Sequence, residues 1–122
     1  MFDHVGISVR DFSKSVRFYQ AALEPLGYRL ESHDEKAASA GFGRPGAPQL
    51  WLNVGAKPSG VHFALAAADR RSVDQFHAAA LKAGGRDNGP PGLRPDYGAN
   101  YYAAFVHDPD GNNVEAVCLR AD

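Results

Sequence analysis

A chain of 122 residues, 44% hydrophobic and 22% charged, has the make-up of one ordinary globular domain, large enough to bury a core without staples. Its net charge of −1 offers no basic face for nucleic acid or an anionic membrane, and no apolar run approaches the roughly 20 residues that span a bilayer. The single cysteine, Cys118, excludes an internal disulfide, and with Asp3 in place of a charged-then-apolar leader the expected location is the cytoplasm.

The segment DHVGISV (3–9) alternates with a period of two. Val5, Ile7 and Val9 share one face and His4, Gly6 and Ser8 the other, as in a half-buried strand. The spacing of Phe12, Val16, Tyr19 and Leu23 predicts a helix that starts at Asp11 or Ser13 and stops near Pro25 and Gly27. Three β-like runs follow, YRLES, AASAGF and QLWLNV, with GRPGAP as the turn between the last two. The order then recurs. HFALAA (62–67) alternates like the first strand, and Val73, Phe76, Ala80 and Leu81 share a face of a second helix running from near Asp69 to Gly84 and Gly85. A short stretch near 86–88, then YYAAFVH and NNVEAVCL, supply three more strands, the last two joined by the tight turn DPDG. Between them NGPPGLRPDYGAN (88–100), with three prolines and three glycines, reads as a loop over a pocket.

The recurrence is a repeat. A shift of 58 residues brings His4 onto His62, Asp11 onto Asp69, Phe18 onto Phe76, Leu23 onto Leu81 and Gly27 onto Gly85. The expectation is a single α+β domain, 1–122, made of two βαβββ modules at 1–56 and 57–122. Cys118, inside VEAVC, reads as a core residue.

Strand parity then collects the candidate chemistry, because a buried face enforces register. If Val5, Ile7 and Val9 pack on the helix, His4 faces away. The same rule turns His62, Glu115, Trp51 and Asn53 away from their own packed neighbours. Two imidazoles and a carboxylate suit a divalent first-row metal with positions left open for water or substrate. Coordination would also compensate a buried Glu115. Trp51 reads as a wall for an apolar or planar ligand, with Ser8 and Asn53 as hydrogen-bonding neighbours. Arg94, Tyr97, Tyr101 and Tyr102 surround the proline-rich loop; Arg94 has the fork that recognises carboxylate or phosphate, and Tyr97 is a donor or acid. Parity leaves open which of Tyr101 and Tyr102 faces the site. His33, His77 and His107 read as surface or structural residues.

DHVGISVRDFSKSVRFY, VHFALAAADRRSVDQFH and AAFVHDPDGNNVEAV together resemble the vicinal-oxygen-chelate superfamily, which includes glyoxalase I, bleomycin-resistance proteins and extradiol dioxygenases. The likeness spans essentially the whole chain. It implies a cupped mixed sheet with helices on its convex face and a divalent ion (iron, manganese, zinc or nickel) at His4, His62 and Glu115. It also implies a small substrate that chelates through two neighbouring oxygens, and a homodimer whose modules pair within or between chains. Trp51 departs from the glyoxalase I pattern, which has a carboxylate on that strand; an indole N–H only donates. The remaining His/His/Glu set looks more like the facial triad of the extradiol dioxygenases. The expected function is a small metal-dependent enzyme, with oxygenation, isomerisation and lyase chemistry all open and no side chain marked as the general base. The alternative is a non-catalytic, drug-sequestering binding protein of the bleomycin-resistance type.

Overall fold

Each half of the chain opens with a short strand, an aspartate and a helix. The computed structural model describes residues 1–122. The elements run β1 (Val5–Val9), α1 (Phe12–Leu23), a 3₁₀ turn (Glu24–Leu26), β2 (Arg29–Asp34), β3 (Ser39–Arg44), β4 (Ala47–Val54), β5 (His62–Ala66), α2 (Arg70–Lys82), β6 (Arg86–Leu93), β7 (Tyr102–His107) and β8 (Asn113–Cys118). Both helices start at the aspartate the repeat pairs. Asp11 accepts the Lys14 amide at 3.1 Å and Asp69 the Ser72 amide at 2.8 Å, which satisfies a free N–H of each first turn.

The strands form two four-stranded sheets of identical plan, β1-β4-β3-β2 and β5-β8-β7-β6. In each, the first and last strands pair in parallel and the rest are antiparallel. This is the expected pair of βαβββ modules. One face of each sheet packs on helix: Ile7, Val9, Ala40, Phe42 and Leu52 in the first, Ala104, Val106, Val114, Ala116 and Cys118 in the second, all buried. α1 covers them with Val16, Phe18, Tyr19, Ala22 and Leu23, and α2 with Val73, Phe76 and Ala80. Leu81, expected on that face, is 38% exposed. It lies one residue past Ala80, and a step of about 100° on a helix turns it away.

The second difference concerns the proline-rich segment. β6 does not stop near residue 88 but runs to Leu93, through Pro90 and Pro91. It is an outer strand of its sheet, where a proline's missing N–H faces no neighbour. Register shifts between Asp87 and Gly89 and between Gly89 and Gly92 absorb the misfit, with Gly89 at φ 149°, a conformation that side-chain-bearing residues avoid. The loop proper is only 94–101.

A buried polar hub joins the modules. Asp108, 2% exposed, opens the β7–β8 turn. It accepts the Tyr19 hydroxyl from α1 (2.5 Å), the Asn112 side-chain amide (2.9 Å) and the backbone amides of Asp110 (2.9 Å) and Asn112 (2.8 Å). Asn112 Oδ1 in turn accepts the Val61 amide ahead of β5 at 3.1 Å, and Asp110 accepts the Arg10 amide after β1 at 3.1 Å. The DPDGN sequence is therefore a turn and also a cross-module anchor. Burial, with the Asp108 charge next, holds the Tyr19 hydroxyl well above its usual pKa, so it stays a donor. No helix is long and apolar enough to cross a membrane.

Removing the anchor strands its donors in a dry site. Asp108→Ala is expected to lower the unfolding free energy, read from urea titration, by about 3 kcal/mol or more, and Tyr19→Phe by about 1.5–3 kcal/mol. Unchanged midpoints in both would mean that the hub does not hold the modules together.

Candidate functional site

The face of the second sheet turned away from the helices brings two of the candidate residues, His62 and Glu115, together. In β8, Val114, Ala116 and Cys118 are fully buried against α2, which turns Glu115 to the other side. Its cross-strand partners there are Ala64 of β5 and Phe105 of β7. His62, two residues before Ala64, shares that face, and its Nε2 lies 2.9 Å from Glu115 Oε1. Glu115 is only 2% exposed, yet both its oxygens have partners, because the Tyr101 hydroxyl donates to Oε2. Burial first, and the Glu115 bond next, push the Tyr101 hydroxyl up to about 12, so it donates across the physiological range.

Parity within the adjacent tyrosines is thereby decided. Tyr101 belongs with Glu115. Tyr102, one residue on, turns to the helix side and donates to Asp74 on α2 at 2.6 Å, beneath the Arg70 guanidinium. Of the loop residues, Tyr97 is 68% exposed and meets Tyr101 edge-on at 5.3 Å. Arg94 lies 5.4 Å from the centre of the Phe105 ring, and two of its N–H groups bind the carbonyls of Gly92 (2.9 Å) and Pro90 (2.7 Å). Phe105 thus sits between Arg94 and His62, whose ring is 6.2 Å away. The residues did not announce Phe105, although the alternation AAFVH puts it on the Glu115 face.

The first sheet presents the other half of the candidate set. Gly6 of β1 and Gly41 of β3 flank Trp51 of β4 in register, and Ser8 pairs with Asn53. Gly6 is to Trp51 what Ala64 is to Glu115, so an indole occupies the repeat-equivalent place of the carboxylate. The indole lies across β3: a Cβ on Gly41 would come within 2.8 Å of its ring, so only glycine fits beneath it. Ser8 uses its amide on Ser59 Oγ at 2.7 Å, and Asn53 is exposed. His4 stands just ahead of β1, exposed, with Nδ1 2.7 Å from the Asp3 carboxylate and Nε2 free. Metal-binding histidines commonly hold their second nitrogen in this way.

His4 and His62 border one cleft of about 390 Å³ between the modules, whose walls include Val5, Phe42, Leu50 and Phe63. Glu115 and Trp51 do not line it. No three His, Cys, Asp or Glu side chains of a single chain group closely enough to hold a metal ion. The pair His62 and Glu115 does fit one: donors about 2.1 Å from an ion at a right angle stand about 3 Å apart, as these do. His33, His77 and His107 are engaged elsewhere, on the Phe12 ring, on Asp87 and on the Gly111 carbonyl.

A cupped module pair with a histidine and a buried glutamate on its open face defines the class. The chain belongs to the Glyoxalase/Bleomycin resistance protein/Dioxygenase superfamily, whose family model matches residues 1–116. Among solved structures, a glyoxalase/bleomycin resistance protein from Albidiferax ferrireducens T118 is 30% identical, with a TM-score of 0.80, covering 97% of this chain and 98% of that one. Glyoxalase I from Zea mays is 25% identical with a TM-score of 0.71; the match takes 96% of this chain but 45% of the maize chain, so this chain spans about half that enzyme's length. A family enzyme from Burkholderia phytofirmans PsJN, 19% identical with a TM-score of 0.71 over 97% and 98% of the two chains, shares the fold. No curated protein is similar enough in sequence to match.

Trp51 is the only tryptophan, which makes its seat directly observable. Gly41→Ala is expected to displace the indole, red-shifting tryptophan emission and destabilising the fold by about 1–3 kcal/mol. An unshifted spectrum would show that the ring does not rest on Gly41.

Proposed function

We propose that this chain is a small metal-dependent enzyme of its superfamily, acting on a substrate with two neighbouring oxygens, and that His4, His62 and Glu115 hold one divalent ion of iron, manganese, zinc or nickel. The observation that carries this reading is the His62–Glu115 pair. A carboxylate 2% exposed, aimed at an imidazole nitrogen 2.9 Å away on the open side of the sheet, is an arrangement that packing alone does not require. A bound ion supplies Lewis acidity to an oxyanion developing on the substrate. The chain's own residues then do the rest: His62 and Glu115 anchor, Phe105 and Trp51 offer aromatic faces to the substrate, and Tyr101 keeps a hydroxyl beside the carboxylate.

We take the working form to be a cytoplasmic homodimer in which His4 of one copy joins His62 and Glu115 of the other. Two observations support it: no single chain gathers three such donors, and His4 and His62 stand at the starts of β1 and β5, strands with a free edge. The second reading, a ligand-sequestering protein without catalysis, draws support from Trp51, an aromatic platform where the repeat would put a second carboxylate.

Metal content separates the two. Protein purified without chelator is expected to carry about one transition ion per chain, and His62→Ala to lose it. Protein that takes up none of the four metals, yet binds planar ligands with quenching of Trp51 fluorescence, would establish the second reading. Subunit sharing has its own test. His4→Ala and His62→Ala, each metal-free alone, are expected to regain about a quarter of the wild-type metal content when co-expressed, because each mixed dimer rebuilds one intact site of two. No regain would assign the ligands to one chain. Turnover of catechols against thiol hemiacetals then tells oxygenation from isomerisation.

A further inference from the structure

Glu115 has two oxygens, and the structure gives them different tasks. Oε1 faces His62 Nε2 at 2.9 Å, while Oε2 is taken by the Tyr101 hydroxyl. The tyrosine is not there by drift. It stands immediately ahead of β7, and its carbonyl accepts the Arg94 amide at 2.7 Å, closing the 94–101 loop into a compact turn. Tyr97 braces its ring edge-on. The hydroxyl is therefore delivered to one oxygen of a nearly fully buried carboxylate by a ring with little freedom to leave.

We infer that Tyr101 is the positioning residue of the proposed centre: by occupying Oε2 it makes Glu115 a one-oxygen ligand and keeps adjacent coordination positions free for a chelating substrate. This rests on the metal-centre reading above. Without the phenol, the carboxylate is free to rotate and offer both oxygens, closing a position that a two-oxygen substrate needs. Partners that orient first-sphere ligands in this way typically set metal affinity over a 10–100-fold range. The chain supplies its own control in Tyr102. That residue makes the same kind of bond, phenol to carboxylate, but to Asp74 on the opposite face of the sheet. A merely structural role for Tyr101 would make the two tyrosines alike.

The experiment compares wild type, Tyr101→Phe and Tyr102→Phe, each loaded with Zn²⁺ for affinity and with Co²⁺ for the visible d–d spectrum, after urea titration has matched their folding. Tyr101→Phe is expected to shift Zn²⁺ affinity about 10–100-fold and to change the Co²⁺ band pattern, while Tyr102→Phe keeps both. Glu115→Gln reads the same point without touching the tyrosine. A one-oxygen ligand tolerates the amide and keeps the wild-type band pattern at weaker affinity, whereas a two-oxygen ligand loses a donor and changes it. Wild-type affinity and spectrum in Tyr101→Phe, equal shifts in both tyrosine variants, or, should Tyr101→Phe not fold, an altered band pattern in Glu115→Gln, would overturn the inference and leave the centre standing. A wild-type protein that takes up neither ion would remove the centre itself.

Discussion

One buried carboxylate couples the two halves of this fold. Asp108 lies in the turn between the last two strands, but a hydroxyl from the first helix reaches it, and three amide groups of its own turn complete its shell. A desolvated carboxylate is tolerable only when its acceptor capacity is met, so the donors and the charge impose one arrangement on each other. Because those donors come from both modules, the sheets are held in a fixed relation, and so are the faces that carry His62, Glu115 and Trp51. The repeat shows how specialised this is. Residue 77, the counterpart of Tyr19, is a histidine that also meets an aspartate, at 2.9 Å, but at the surface. The same helix position serves as a core lock in one copy and as a surface tie in the other.

Duplication also explains how the open face divides its labour. Identical sheet plans place Trp51 and Glu115 at matching positions, and register alone decides that both point away from the helices. One copy carries a carboxylate there and the other an aromatic surface seated on glycine. The two faces differ accordingly: the His62–Glu115 pair stands on the second module, and the Trp51 indole on the first.

Much of this was legible in the residues because alternation and repetition are local signals. The phase of HVGISV and HFALAA, the helix-capping aspartates and the turn DPDG each follow from a few neighbouring side chains. Three features were not legible. The course of β6 through Pro90 and Pro91 depends on being an outer strand, a fact of sheet order that no local pattern encodes. Which of two neighbouring tyrosines meets Glu115 depends on where β7 begins, since a one-residue change of phase reverses the answer. The burial of Asp108 depends on a helix nearly ninety positions away in the chain. The likeness to the superfamily conveyed the fold and the candidate ligand positions, but the partner of each oxygen came only from three-dimensional placement.

The prolines of β6 have a consequence beyond their own strand. A strand exposed at the rim of a sheet is a template on which a foreign strand can grow. Pro90 and Pro91 silence that template on one rim, and the charged side chains of Arg29, Glu31 and Asp34 guard the opposite one along β2. Only the uncharged inner rims, VGISV and HFALA, are left bare. Growth by strand addition is thus disfavoured at both outer rims, which confines the bare edges to β1 and β5.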